Sequence, residues 1–180
     1  MGLAVFNKDK LVGELNGIES ICHLVVSNKL KHAQIRIPSP IEELNYIDLY
    51  IELDKRTKSS VYLVNGSPYI TINAKISAKM QSMNENINLK DENIVKKIEQ
   101  SVKSFLENYI TDYLYKTSKD LYADIDSFGL YALKYFSTTD EWDNYNWLHR
   151  YKDAFFEVNV DMNLRSSYLL VNTTDEALDK

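Results

Sequence analysis

The chain has 180 residues, of which 44% are hydrophobic and 12% aromatic, and this is enough for one domain with one sizeable core. Its net charge of -5 repels polyanions and argues against a nucleic-acid partner. Cys22 is the single cysteine, so the chain forms no intramolecular disulfide and has no Cys/His cluster for a structural metal.

The N-terminal residues predict a β-hairpin followed by a short helix. Two apolar runs, 3–6 and 11–15, flank the polar turn 7–10. Asn16 is the predicted N-cap, Glu19 completes a capping box, and Cys22 falls on the apolar face of the helix. Because a predicted strand starts directly after Met1, we expect the chain to begin inside a longer protein.

The clearest strands are joined by a tight turn. Apolar and polar residues alternate from Ile47 and again from Ile70, and Asn-Gly at 65–66 is the favoured pair for a type I′ turn between them. This turn predicts the pairs Val64–Ser67, Val61–Ile70, Leu53–Ala78 and Ile51–Met80. Lys55 and Thr57 interrupt the apolar stripe and predict a bulge, with Lys55, Arg56 and Lys58 in solvent.

A shorter strand, 33–37, precedes this pair and must end at Pro38, because proline lacks the amide that a sheet ladder needs. Basic residues cluster around its start: Lys29, Lys31, His32 and Arg36. Such a run fits either a membrane surface or a solvated loop.

The second half of the chain predicts helices. Apolar residues recur at helical spacing from Ile94 to Leu114, which indicates one long amphipathic helix. Acids stand four residues before bases on its polar side: Glu92–Lys96, Glu99–Lys103 and Asp112–Lys116. Asp126 or Ser127 is the predicted cap of a second helix extending to Tyr135, and a third follows residues 137–139.

Residues 156–164 alternate again, so a strand returns after the helices. The order predicts an α+β fold: an antiparallel or mixed β-sheet with one long helix packed across a face and shorter helices before a final strand. We expect a single domain over residues 1–168 and a flexible tail over residues 169–180.

Acidic clusters are the strongest enzyme-like feature. Asp124 with Asp126, and Asp140 with Glu141 and Asp143, have the residue types of a glycosidase pair. Both clusters flank predicted helix starts, where carboxylates accept hydrogen bonds from free backbone amides. The sequence has no GxSxG elbow, no metal-binding histidine spacing and no phosphate-binding glycine loop. We therefore predict no enzyme activity, no metal and no cofactor.

Four aromatic residues outside the long helix are the candidate interface residues: Tyr122, Tyr131, Trp142 and Trp147. Aromatic side chains of this kind serve either a core or an interface. A pocket lined by them would favour small-molecule or cell-wall (glycan or peptide) binding. A flat apolar patch would favour docking to a protein.

Residues 2–6 (GLAVF) and 9–15 (DKLVGEL) resemble the motif that opens the C-terminal domain of the Ger(x)C family of spore germination proteins. Residues 123–129 (ADIDSFG), followed by Trp142 and Trp147 before a final strand, are similar to the other recurring feature of that family. Together these segments bracket most of residues 2–165.

The resemblance implies the C subunit of a spore germinant receptor. Such a protein is a lipoprotein on the outer face of the spore inner membrane, anchored through an upstream lipidated cysteine beside integral membrane A and B subunits. Cys22 does not match that cysteine, because no apolar signal core precedes it. No catalytic residues carry over, so the implied role is receptor assembly or signal transmission during nutrient-triggered germination.

Overall fold

A computed structural model of the chain describes residues 2–7, 9–41, 45–83 and 91–165. The fold is α+β, with a two-stranded sheet, a four-stranded sheet, one long helix and several shorter ones. The predicted tail 169–180 and the polar stretch 84–90 lie outside the described residues.

The predicted N-terminal hairpin and helix are confirmed. Strands β1 (Leu3–Asn7) and β2 (Lys10–Leu15) pair antiparallel, and helix α1 (Gly17–Val26) follows. The Glu19 amide donates to Asn16 Oδ1 at 2.9 Å, and the Asn16 amide donates to Glu19 Oε2 at 2.7 Å, which forms the capping box. Cys22 is buried, and burial raises the pKa of its thiol to about 12.

The larger sheet is mixed. Its strands are β3 (Ala33–Pro38), β4 (Tyr46–Val64), β5 (Ser67–Met83) and β6 (Phe155–Arg165), in the order β3-β4-β5-β6. Strand β4 runs antiparallel to both β3 and β5, whereas β6 pairs parallel to β5. A parallel partner requires a crossover, which the helices between β5 and β6 provide.

The predicted register holds near the turn and is wrong beyond the bulge. Val64 pairs with Ser67 and Val61 with Ile70, but Leu53 pairs with Ile76 and Ile51 with Ala78. The ladder shifts by one residue between Leu53 and Lys55 and again between Lys55 and Lys58. A shift of one residue moves the side chains of a strand to the other face of the sheet, because they alternate with a period of two. Two such shifts therefore return the apolar residues to the same face.

Helix α1 holds this bulge in place. The side chain of buried Thr57 donates to the Val25 carbonyl at 2.8 Å, at the end of α1. The Asn28 side chain donates through Nδ2 to the Thr57 carbonyl at 3.1 Å, and its Oδ1 accepts from the Thr57 backbone amide. Lys55, Arg56 and Lys58 are exposed, as predicted.

The long helix is confirmed as α2 (Glu92–Tyr115), which continues into a π-helical turn, Lys116–Asp120. The shorter helices are α3 (Phe128–Ala132), a 3-10 turn (Leu133–Tyr135), α4 (Thr139–Tyr145) and α5 (Trp147–Tyr151). The predicted second helix therefore stops at Ala132. Ser127, one of the two predicted caps, is the N-cap residue, but its side chain makes no cap bond and Asp124 accepts the free amides instead.

Helices pack on the apolar face of the large sheet, with α2 along β6, α3 against β4 and α5 against β5. The opposite face is polar and carries ion pairs. Arg36 donates to both oxygens of Asp48 at 2.7 and 2.9 Å, and Lys75 donates to Asp161 at 2.6 Å.

Carboxylates from α2 cover the outer edge of β6. The Val160 amide donates to Glu107 Oε1 and the Leu164 amide donates to Glu99 Oε1, both at 2.9 Å. The predicted Glu99–Lys103 pair is therefore replaced, and Lys103 lies 3.9 Å from Glu107 instead. Acceptors placed along an edge strand block further strand pairing there.

Replacing Glu107 with alanine should expose the Val160 amide. We expect hydrogen exchange at that amide to become about tenfold faster, and the free energy of unfolding to fall by ~1 kcal/mol, because a buried donor loses its acceptor. Glu107→Gln keeps an acceptor and should change both quantities much less. Equal exchange in the wild type and both variants would show that the carboxylate does not protect this edge.

Candidate functional site

The segment 123–129 forms a tight connection between the long helix and α3, organised by Asp124. Its Oδ1 accepts the Phe128 amide at 2.9 Å, and its Oδ2 accepts the Gly129 amide at 2.7 Å and the Trp147 indole Nε1 at 2.8 Å. Burial raises the pKa of the Asp124 carboxyl, and these hydrogen bonds oppose the rise. One carboxylate thereby joins α3 to α5.

The glycine at 129 is needed for this contact. A Cβ at that position would lie 3.0 Å from Trp147 Nε1, 3.1 Å from Trp147 Cδ1 and 3.3 Å from Asp124 Oδ2. Real Cβ atoms rarely approach neighbours so closely, so a side chain here would push the indole away from the carboxylate.

Asp126 connects the same segment to α1 and α2. Its side chain is 1% exposed, and its Oδ2 accepts the Tyr113 hydroxyl at 2.6 Å. His23 Nδ1 lies 2.9 Å from Asp126 Oδ1, and a proton on that nitrogen is donated to the carboxylate. Burial raises the pKa of the Tyr113 phenol far above its usual value, so its hydroxyl stays protonated and remains a donor.

The acidic clusters therefore act as acceptors within the fold. Asp124 and Asp126 bind the donors just described, and Glu141 accepts the Ser137 amide at 2.7 Å at the start of α4. Asp140 and Asp143 are exposed on the same helix. A glycosidase needs one protonated and one ionised carboxyl directed at a substrate cleft. Asp124 and Asp126, which are engaged by internal donors, do not match that requirement.

The two candidate tryptophans lie in a row of stacked rings. Trp142 stacks on Trp147 with 5.9 Å between ring centroids, and Trp147 stacks on Tyr151 at 5.7 Å. Phe136 meets Trp142 edge-on at 5.4 Å, and Tyr151 meets Phe156 of β6 edge-on at 5.9 Å. Trp147 is buried and Trp142 is half-buried, so both rings contribute to the core between α4, α5 and the sheet.

The other two candidate residues are exposed and lie in different places. Tyr131 on α3 is 48% exposed and Tyr122 is 54% exposed. Tyr122 sits beside the N-terminal hairpin, where the Asn7 side chain donates to its carbonyl at 3.4 Å. Phe6 and Leu11, paired across that hairpin, are exposed as well.

Tyr131 belongs to a larger exposed apolar surface at the β4–β5 turn, which we call the hairpin-tip patch. Its members are Tyr62, Val64, Leu130, Tyr131, Leu133 and Tyr135, all exposed. The Tyr135 hydroxyl donates to the Val61 carbonyl at 3.0 Å, which fixes the 3-10 turn on β4. Lys134 Nζ lies 5.7 Å from the Tyr62 ring centroid and 5.0 Å from that of Tyr135, and so joins the two sides.

Of the members of the hairpin-tip patch, Tyr131 alone was a candidate interface residue from the sequence. A usable signal is present in α3 itself. Phe128, Gly129 and Ala132 form its buried side, because two of them lie four residues apart and the third is adjacent. Leu130, Tyr131 and Leu133 must then point outward, as their exposure shows.

Two prominent cavities lie elsewhere in the described structure, and neither is lined by the candidate tryptophans. A polar cleft of about 570 Å³ lies between α2 and the middle of β5 and β6. A more apolar groove of about 550 Å³ lies between α1, α2 and β3; we call it the edge groove. No helix in the described ranges is long and apolar enough to cross a membrane.

Comparisons with known proteins agree with this architecture. A family model described as "Spore germination B3/ GerAC like, C-terminal" matches residues 1–168. A solved structure, "Crystal Structure of the GerBC protein", is similar with a TM-score of 0.71 and 16% sequence identity, covering 92% of this chain and 50% of that chain. The chain thus spans about half the length of that protein and shares its fold. No curated protein sequence matches the chain.

Proposed function

The chain belongs to the spore germination B3/GerAC-like C-terminal family, and from this premise we propose that it is a non-enzymatic module of the C subunit of a spore germinant receptor. In this proposal the module acts in receptor assembly or signal transmission during nutrient-triggered germination. The family is one of spore germination proteins rather than a class of enzymes, and the carboxylates of segment 123–129 serve the fold.

The hairpin-tip patch is the observation that carries this proposal. Leu130 is 69% exposed, and the other members of the patch, which come from α3, the 3-10 turn and the end of β4, are exposed as well. Exposed apolar patches on a protein surface mark docking sites, and aromatic residues are enriched in such interfaces. Lys134 supplies a cation between the Tyr62 and Tyr135 rings.

We propose that the integral membrane A and B subunits are the partners of this surface. The full protein would lie on the outer face of the spore inner membrane as a peripheral lipoprotein, held by an anchor upstream of this module. The resemblance of residues 2–15 and 123–129 to the Ger(x)C pattern supports this placement. In the full-length protein, residues 1–168 would form a single domain that follows further domains.

A glycan- or peptide-binding role is the second candidate, and the geometry supports it less. Sugar-binding tryptophans present an open face and a free indole N–H. Trp147 is 7% exposed and already donates its N–H to Asp124, while Trp142 is stacked against Trp147. The flat apolar patch therefore favours docking to a protein.

The test compares a double variant of the hairpin-tip patch with a single tyrosine substitution elsewhere, both made in the full-length protein in spores. Tyr131→Ser, combined with Leu130→Ser, removes the centre of the hairpin-tip patch, and Tyr46→Ser alters a tyrosine at the far end of β4. Tyr131 and Tyr46 are 48% and 49% exposed, so neither change opens the core. We expect the double variant to slow germination about tenfold, since losing a hot spot of ~1.4 kcal/mol weakens docking tenfold.

Levels of the partner subunits, measured by blotting, separate the two proposed roles. A fall in both germination and partner levels indicates an assembly role, whereas slow germination with normal partner levels indicates signal transmission. Normal germination in the double variant, or equal slowing in Tyr46→Ser, would overturn the proposed docking surface.

A further inference from the structure

The edge groove opens onto the backbone of β3. Its lining includes five consecutive residues, His32 to Arg36, together with parts of α1 and α2. Successive side chains of a strand point to opposite faces of a sheet, so no single face presents five in a row. Only the edge of the strand does, and the groove therefore runs along the backbone of β3.

That edge has no strand partner within the described part of the chain. β3 is the end strand of the sheet and pairs on one side with β4. In an antiparallel pair, alternate residues direct their N–H and C=O groups away from the partner strand. Among the described residues, no hydrogen bond from outside the β3–β4 pair reaches the backbone of residues 34–36, so the groups that point away from β4 have no partner there.

The two edge strands of the sheet, β3 and β6, differ in what lies beside them. At β6, the carboxylates of Glu99 and Glu107 accept outward amides and occupy the position of a further strand. At β3, the structure places a groove instead of such acceptors. A free edge beside a cavity is the arrangement used when an extended peptide adds to a sheet.

The far wall of the groove is apolar and comes from two helices. Helix α1 contributes Ile18, Ile21 and Leu24, which are all partly buried. Helix α2 contributes Phe105 and Tyr109, whose rings lie 4.4 Å apart and of which Tyr109 is 38% exposed. A strand paired with β3 would direct every second side chain into this wall.

The entrance of the groove is basic. Lys31 and His32 are exposed at the start of β3, and Lys29 lies just before them. Arg36 is exposed too, although its guanidinium is engaged with Asp48 at 2.7 and 2.9 Å. Acidic residues on an incoming segment would be attracted to this entrance.

From these features we propose that the edge groove receives an extended segment of a protein partner, which adds to β3 as a fifth strand of the sheet. The segment alternates apolar side chains, which fill the wall of α1 and α2, with acidic side chains at the basic entrance. This inference rests on the proposed function, because it supplies that docking module with a second, sequence-selective contact remote from the hairpin-tip patch.

The test uses a defined probe: an acetylated ten-residue peptide that alternates valine and glutamate. A matched peptide has the same sequence with every second backbone amide N-methylated, so that one hydrogen-bonding edge is blocked and the side chains are unchanged. Both are titrated into the 15N-labelled chain. We expect the first peptide to slow hydrogen exchange of outward β3 amides at least tenfold, and the N-methylated peptide to bind at least tenfold more weakly.

Two substitutions locate the binding. Tyr109→Asp places a charge in the apolar wall and should weaken peptide binding at least tenfold, whereas Tyr62→Asp in the hairpin-tip patch should leave it unchanged. Equal binding of the two peptides, binding without β3 protection, or no binding would overturn the proposal. So would dimerisation of the peptide-free chain through β3, measured by sedimentation, because the occupant would then be a second copy. The hairpin-tip variants in spores are scored separately, so either proposal can fail alone.

Discussion

Asp124→Ala is expected to lower the free energy of unfolding by about 3 kcal/mol, because three donors lose their acceptor at once. The donors are the amides of Phe128 and Gly129 and the indole N–H of Trp147. Two of these groups start α3 and the third belongs to α5, so the substitution detaches both helices from one another. Alanine offers no replacement acceptor.

Urea unfolding followed by tryptophan fluorescence and circular dichroism measures this loss directly. Asp143→Ala is the matched control, because Asp143 is exposed on α4, and substitutions at such sites change stability by about 0.5 kcal/mol or less. Asp124→Asn keeps one acceptor oxygen and turns its amide toward the remaining donor, so its effect should be intermediate. A loss no larger than that of Asp143→Ala would show that Asp124 does not organise this connection.

Local patterns predicted those parts of the fold that depend on neighbours in sequence. The capping box of Asn16 and Glu19, the Asn65-Gly66 turn and the stripe of α2 all involve residues within a few positions of one another. Each is confirmed because its interactions are complete within one element. The mixed sheet was predicted only as one of two options, since the direction of β6 depends on a crossover that no local pattern records.

The errors occur where a distant residue competes for a side chain. Glu99 was assigned to Lys103 on its own helix, but a carboxylate gains more from the Leu164 amide, which has no other acceptor among the described residues at the edge of β6. The register beyond Lys55 was displaced because Thr57 turns inward to bond the end of α1. Neither partner is visible from sequence spacing.

The candidate site was also predictable from the sequence only in part. Four aromatic residues were singled out as candidates, but their sequence positions do not reveal which rings are buried. Trp147 is enclosed because Gly129 admits its indole to within van der Waals contact and Asp124 accepts its N–H. Tyr131 stays outside because Phe128, Gly129 and Ala132 occupy the buried side of α3. Segment 123–129, which resembles a recurring feature of the family, is thus a structural connection, and the surface proposed to act lies beside it.

Asp126 is the second residue whose removal should have a large effect. Its carboxylate is 1% exposed and joins three parts of the chain through Tyr113 and His23. We expect Asp126→Ala to lower the free energy of unfolding by about 2 to 3 kcal/mol, since a buried hydroxyl and a buried ring nitrogen lose a charged acceptor. Asp120→Ala, at an exposed position of the preceding turn, is the control and should change stability by about 0.5 kcal/mol or less.

A double-mutant cycle with Tyr113→Phe separates the hydrogen bond from general packing. Tyr113→Phe alone should cost about 1.5 kcal/mol, because a hydrogen bond to a carboxylate is lost while the ring is kept. The double variant should cost less than the sum of the two single variants by about 1 kcal/mol, since the phenol that Asp126→Ala leaves unsatisfied is then absent. The 3.1 Å contact between the Tyr113 hydroxyl and His23 Nδ1 limits this coupling, because a neutral imidazole with a free Nδ1 can accept the phenol when the carboxylate is gone. Strict additivity would mean that Asp126 and Tyr113 stabilise the fold independently, and α1 and α2 would then be held together by apolar packing rather than by this shared carboxylate.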